Sequence, residues 1–427
     1  MRRLPVFLLA ASLAGCLDAA EPFRDPLLPL EDRVNNLVSL LTPDERIAFL
    51  GQVTPAVDRL GIKAFTNFTE GLHGFGWARG GAITSTQFPQ SIGLASTWDT
   101  ALLRRAGNVI GQETRIYNVK TGGQGVGLAI RTPMVDMGRE PRWGRNEESL
   151  GEDPYLSGSL AVAIVQGLQG NDPKYIQVAA TLKHFVANNN EANRTSSNSQ
   201  VDDRDLREYY LVPFQRAILE GKAQSFMVAY NLLNGAACTA QPIVRSIVIG
   251  EWGFDGMICT DAGGMPNLMR TQHVASSLPQ AAAMAVKAGV SVFLDQQASY
   301  VKDALSQGLL TETDIVDRIK GNLRMRMRLG EFDPPEMTPF AKITGREEPW
   351  YGPENKALAR QATEESIVLL KNEKNLLPLN KAAIKSIAVI GMNGNEVITD
   401  WYGGIPPYTV SPIEGIKAKV GPNVRVR

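Results

Sequence analysis

The feature that most constrains the fold of this chain is an alternation sustained from residue 30 to about residue 330. Near-continuous apolar runs with β character recur at Leu128–Val135, Val178–Phe185, Ser225–Asn231, Met257–Thr260 and Val290–Leu294. Amphipathic stretches with helical spacing lie between them, at Ala101–Tyr117, Ser157–Leu168, Asp203–Leu219 and Leu278–Ala288. Strands apolar on both faces are those of parallel sheets covered by helices. About 300 residues of βα units predict an α/β fold, a (β/α)8 TIM-like barrel over 21–330.

A different pattern follows. Residues 331–356 are rich in proline and charge and read as a linker. Ala357–Leu370 then has helical spacing, and Lys385–Ile390 reads as a strand. Residues 357–427 are thus expected to be the start of a second domain, an α/β sandwich. One helix and one strand cannot bury a core, so the expectation is a truncated unit or one that needs a missing C-terminal segment.

The N-terminus reads as an address. Arg2 and Arg3 precede an apolar stretch, Leu4–Ala14, that is too short for a lasting bilayer span. Leu13-Ala14-Gly15-Cys16 resembles a bacterial lipobox, which predicts a signal peptide over 1–20, lipidation of Cys16, and an exported protein that is periplasmic or membrane-anchored. Ordinary cleavage near Ala19 or Ala20 is the alternative. Membrane contact is expected only through that lipid. Cys238 and Cys259 either pair or remain as buried thiols.

Composition excludes several functions. The 44 Lys+Arg balance 44 Asp+Glu, so no nucleic-acid partner is expected. The 3 histidines, His73, His184 and His273, are scattered and form no H-x-H or H-E-x-x-H motif, so neither a metal nor a cofactor is expected. Thr121–Gly125 and Gly391–Gly394 read as turns, because neither carries the lysine of a phosphate-binding loop.

Catalytic groups of α/β barrels sit at the C-terminal ends of strands. Those ends here carry Thr69-Glu70-Gly71-Leu72-His73, then Asp136 followed by Arg139–Arg145, then Lys183-His184, Tyr230-Asn231 and Thr260-Asp261. Acids, bases and aromatics converging on one face suit a polyhydroxylated ligand. Each has a plainer role when taken singly. Asp261 could cap a helix, Arg145 could pair with Glu147 or Glu148, and Tyr230 could be core.

Taken together, the motifs resemble glycoside hydrolase family three, the exo-acting β-glucosidases and β-xylosidases. TEGLHG (69–74), FPQSIGLASTWD (88–99), GREPRWGRNEESLGEDP (138–154), KHFVANNNEANR (183–194), VAYNLLNG (228–235), GMICTDAGG (256–264), AVKAGVSVFLD (285–295) and LLKNEKNLLPL (369–379) occur in the family's order. The resemblance implies that Asp261 is the catalytic nucleophile. It implies that Glu70, Arg145, Lys183, His184, Arg194 and Tyr230 bind the sugar. It also implies a retaining reaction on an oligosaccharide or aryl β-glycoside, in which a carboxylate nucleophile lies about 5–5.5 Å from an acid/base group. Cations such as Lys183 and Arg194 suit an ionised Asp261.

Two departures matter. The family's general acid is usually a glutamate from the second domain, and no convincing candidate precedes Arg427. Ala262-Gly263-Gly264 also stands where many relatives carry a tryptophan or cysteine after the nucleophile. Glu70 is one methylene longer than the aspartate of many glucosidases, which tilts the expected substrate from β-glucoside towards β-xyloside. The competing expectation is a non-catalytic sugar-binding lipoprotein.

Overall fold

The computed structural model describes residues 21–67, 69–78, 81–294 and 298–427. The expected signal peptide, with Cys16, lies outside them. The α/β barrel architecture is present. Parallel strands Ala129–Ile130, Ala179–Phe185, Ser225–Val228 and Met257–Cys259 form one four-stranded sheet. Parallel bridges extend it from Cys259 to Val292 and from Phe293 to Gly51. At the other edge, Arg131 donates its backbone N–H to the Thr69 carbonyl at 3.1 Å. The ring closes through Val53–Thr54, which pairs antiparallel with Phe65–Thr66. The described part of the barrel is therefore less regular than an all-parallel ring, because its first two strands form a tight antiparallel pair.

Every residue of Ala179–Phe185 is buried, as its unbroken apolar pattern requires. The surrounding helices begin where the sequence supplies caps. Asp99 accepts from the Leu102 N–H ahead of Thr100–Lys120, Asp153 accepts from Leu156 ahead of Pro154–Gln169, and Thr311 with Asp314 makes a capping box ahead of Glu312–Arg328. Each cap is worth about 1 kcal/mol. The 203–219 stretch is helical with one π turn, Leu206–Tyr210, in its middle. Cys238 and Cys259 are buried free thiols, which resolves the open question of pairing. No helix among the described residues is long and apolar enough to cross a membrane.

The linker packs onto the barrel. Trp350 stacks on Tyr117 with ring centroids 5.0 Å apart. The helix expected over 357–370 instead spans Pro353–Glu365. Its continuation, Ile367–Leu370, lies outside any helix or strand and is exposed, with Leu370 91% exposed. An apolar run holds a helix only when it has a face to bury, and this one has none among the described residues. Beyond it, Ser386–Ile387 pairs with Arg425–Val426 in a two-stranded parallel sheet beside helix Pro412–Val420. Ile390, Met392 and Ile398 stay exposed there.

One piece of this C-terminal unit is inserted into the barrel mouth. Ile405 donates its N–H to the Ile83 carbonyl at 2.8 Å and accepts from the Ser85 N–H at 3.2 Å. The Gly404 N–H bonds to Gln87 Oε1 at 3.0 Å. The approach is close enough to demand glycine: a Cβ on Gly404 would lie 2.6 Å from the Ile83 oxygen, and one on Gly76 would lie 2.1 Å from the Tyr402 oxygen. Asp400 anchors the strap further, through His73 Nε2 at 3.1 Å and the amide of Gln90.

Candidate active site

The strand ends deliver the expected residues to one pocket. Strand Ala179–Phe185 carries Lys183 and His184, each 2% exposed. The Lys183–His184 peptide bond is cis. The next two strands lead to Tyr230 and to Asp261. The Asp261 side chain is 15% exposed, with its Oδ2 3.7 Å from His184 Nε2. Its Oδ1 accepts the N–H of Ala262 at 2.7 Å, and Gly263 follows in the left-handed conformation at φ 70°. That turn lets the chain leave the strand directly behind the carboxylate. The small Ala-Gly-Gly stretch thus forms the turn itself.

Arg145 is held by Glu148 in a bidentate pair of 2.6 and 2.8 Å, so the plainer reading of Arg145 also holds. The same guanidinium donates to His184 Nε2 at 3.3 Å and to the Tyr402 hydroxyl at 3.2 Å. Arg145 therefore serves the pocket while paired. Burial opposes its charge, and the bonds and charge of Glu148 more than offset that, so it stays protonated. Lys183 sits between two carboxylates, 3.7 Å from Glu70 and 3.9 Å from Glu148. Burial again works against the ammonium, but Tyr402, Glu70 and Glu148 outweigh it and raise its pKa. Glu70 is fixed from its other side by Arg131 at 2.9 Å.

Tyr230 and Arg194 form the outer part of the site. The Tyr230 hydroxyl donates to the Ala262 carbonyl at 2.6 Å, bracing the turn behind Asp261. Arg194 lies 4.8 Å above the Tyr230 ring and pairs with Glu191 at 3.1 Å. Glu191 in turn accepts from the Trp143 indole at 3.1 Å. All seven residues expected from the strand-end pattern and the resemblance thus fall in one connected cluster.

Sequence reasoning missed Tyr402 and Arg131 and gave Asp136 no role. Tyr402 comes from the strap of the C-terminal unit. Its ring covers Lys183, with the ammonium 4.1 Å from the centroid, and packs against Leu72, Met134 and Trp143. Nothing in its local sequence marks it. Arg131 and Glu148 complete the charge network; Glu148 is one of the two partners the sequence offered for Arg145, whereas Arg131 carried no signal beyond its basic type. Asp136, noted as a strand end but given no role, accepts from both the backbone N–H and Nδ1 of His184, each at 2.9 Å. Burial pushes its carboxyl up to about 8, against the pull of the His184 N–H and the Arg145 charge. His184 is held well below its ordinary pKa by burial, then by the charges of Arg145, Lys183 and Arg194, so it is neutral.

The site is therefore a small polar pocket with the partly accessible Asp261 carboxylate, fixed cations, a neutral imidazole and aromatic walls. Such a set can bind a ring of hydroxyls and present a carboxylate to an electrophilic carbon.

Comparison with known proteins agrees. The model of the Glycosyl hydrolase family 3 N terminal domain matches residues 51–324, and that of the C-terminal domain matches 367–424. A probable beta-D-xylosidase 7 of Arabidopsis thaliana is 36% identical over 92% of this chain and 54% of its own length. A xylan 1,4-beta-xylosidase of Xylanibacter ruminicola is 33% identical over 97% of this chain and 49% of its own. Among solved structures, a family 3 exo-beta-xylosidase bound to a xylobiose aziridine probe superposes with a TM-score of 0.85 at 28% identity. That match covers 95% of this chain and 53% of the xylosidase. A β-glucosidase of Erythrobacter marinus superposes at 0.82 with 28% identity, over 96% and 59% of the two chains. The chain spans about half the length of the curated relatives it matches. With a family model covering most of its length and these relatives along nearly all of it, the chain belongs to glycosyl hydrolase family 3.

Proposed function

We propose that this chain is the sugar-binding and nucleophile-bearing part of an exo-acting retaining β-glycosidase that removes terminal non-reducing β-D-xylosyl or β-D-glucosyl residues from oligosaccharides. The observation that carries the reading is the placement of Asp261. Its carboxylate stands at the end of its strand, 15% exposed and without a cation paired to it among the described residues, 3.7 Å from the Nε2 that also takes a bond from Arg145. In the first step an Asp261 oxygen attacks the anomeric carbon and the glycosidic oxygen leaves with the bonding electrons, giving a glycosyl ester. In the second step water cleaves that ester with a second inversion. Lys183 and Arg145 donate to sugar hydroxyls, and bonds that tighten as the oxocarbenium-like state forms lower the barrier.

Xyloside is the favoured substrate. Arg131 and Lys183 pin Glu70, and an acid one methylene longer than aspartate would crowd a hydroxymethyl group set against it. Pocket crowding of this kind discriminates by about 1–3 kcal/mol. The xylosidase relatives support the same side. No general acid is assigned among the described residues. Its help is worth about 10²–10⁴-fold for poor leaving groups and little for acidic phenols. The N-terminal reading gives the cellular setting: export from a bacterial cell, lipidation at Cys16, and a periplasmic, membrane-tethered protein. Palmitate labelling lost in Cys16→Ala tests that setting.

The test of function is hydrolysis of aryl β-xyloside and β-glucoside, with and without azide. Turnover accelerated by azide, with a β-glycosyl azide as product, supports a working nucleophile without its acid. Rapid turnover of alkyl glycosides without azide shows that an acid is present in the chain. Sugar binding with no turnover of any substrate supports a binding protein instead.

A further inference from the structure

Two contacts on opposite sides of one ring decide what His184 offers the pocket. On the inner side, Asp136 Oδ2 lies 2.9 Å from Nδ1 and also 2.9 Å from the His184 backbone nitrogen. A carboxyl oxygen that takes a backbone N–H can still either accept from Nδ1 or donate to it, so the direction of this bond is set by the other face of the ring. On the outer side, Arg145 reaches Nε2 at 3.3 Å. A guanidinium can only donate, so this contact requires a bare lone pair on Nε2. The neighbouring Asp261 oxygen, 3.7 Å from Nε2, is a second acceptor facing the same space.

We infer that Asp136 is a positioning residue that locks His184 as the neutral Nδ1–H tautomer, so that His184 Nε2 serves the proposed reaction as the acceptor that holds Arg145 in place and not as a donor. The inference rests on the glycosidase reading only for the reaction whose rate the test reads. The Nε2 lone pair is filled by the Arg145 N–H, which fixes that guanidinium, while Lys183 and Arg145 supply the donors to sugar hydroxyl oxygens. An Nε2–H tautomer would set its proton against the Arg145 N–H. An imidazolium would sit among Arg145, Lys183 and Arg194, whose charges already depress it. The orientation uses the same logic as other histidines fixed by a buried carboxylate, where loss of that carboxylate yields the wrong tautomer.

The chain holds 3 histidines, so ¹⁵N-histidine labelling gives a spectrum that can be read residue by residue, with His184→Gln identifying the signal of His184. At pH 7 the wild-type His184 is expected to show a protonated Nδ1 and a pyridine-type Nε2. Asp136→Asn keeps the size but offers an amide N–H to Nδ1. It should populate the Nε2–H form and lower kcat on an aryl β-xyloside with azide by about 10²–10⁴-fold with KM little changed. Unchanged His73 and His273 signals in the variant show that the fold is kept. A wild-type His184 that is Nε2–H or doubly protonated overturns the inference, even if the variant does not fold. An Asp136→Asn spectrum identical to wild type overturns it as well. A correct tautomer in a chain with no turnover leaves the inference standing and counts against the glycosidase reading instead.

Discussion

Replacing Tyr402 tests whether the C-terminal strap is a working wall of the pocket or a bystander. Its ring faces the buried Lys183 ammonium at 4.1 Å and its hydroxyl accepts from Arg145 at 3.2 Å. A desolvated cation–π contact is worth about 2 kcal/mol, and a hydrogen bond to a charged group about 1.5–3 kcal/mol. Both belong to one side chain and their losses overlap, so Tyr402→Ala should weaken the strap by about 3 kcal/mol. Each 1.4 kcal/mol is a factor of ten. Amide exchange at Ser85 and Ile405, whose backbone N–H groups bond to backbone carbonyls across the strap, should therefore quicken about 10²-fold. Tyr402→Phe keeps the ring over Lys183 and loses only the hydroxyl, so exchange should quicken about tenfold. Hydrogen-exchange mass spectrometry on the peptides around 83–88 and 400–406 reads both. Wild-type exchange in the alanine variant would refute the reasoning. The strap would then be held by its other anchors, among them Asp400 on His73 and Gln90, Gln87 and the Ile405 backbone bonds, and Tyr402 would contribute nothing to Lys183.

Two further predictions concern the joints that hold the C-terminal unit on the barrel. Glu113 is fully buried, accepts from Thr86 and Asn355, and lies near Tyr117; burial raises its pKa from 4.5 to about 7. A carboxyl raised on folding favours the native state below its unfolded pKa and loses that contribution as pH rises through the folded one. Stability should therefore fall between pH 4.5 and 7 by about 3 kcal/mol from this group. Urea midpoints across that window should flatten in Glu113→Gln; an unchanged slope refutes the assignment. Trp350, 3% exposed and stacked on Tyr117, should cost about 3–5 kcal/mol on truncation to alanine. Loss of less than about 1 kcal/mol in chemical denaturation would mean that the linker does not depend on that stack.

The catalytic face was legible because barrels place function at strand ends and these strands announce themselves. Lys183-His184 and Asp261 each follow an unbroken apolar run, so their positions on one face follow from topology alone. The antiparallel pair Val53–Thr54 and Phe65–Thr66 was not legible, since two-residue strands carry no period. Tyr402 was invisible for another reason. It reaches Lys183 through tertiary contact from a glycine-rich loop, and no local pattern encodes a partner so distant in sequence. Asp136 stood at a strand end, but its role depends on two 2.9 Å contacts to one histidine, which only coordinates reveal. The helix at 353–365 was misplaced because Ile367–Leu370 has helical apolarity without a surface to pack on.

The most direct test of the account is to trap the nucleophile. An activated 2-deoxy-2-fluoro-β-xyloside with a dinitrophenolate leaving group needs no general acid and yields a slowly hydrolysed glycosyl ester. Peptide mapping should place one fluoroxylosyl group on the peptide containing Asp261, and Asp261→Asn should not label. A label on Glu191, Glu148 or another carboxylate, or labelling that survives in Asp261→Asn, would contradict the assignment on which the whole reading of the pocket rests.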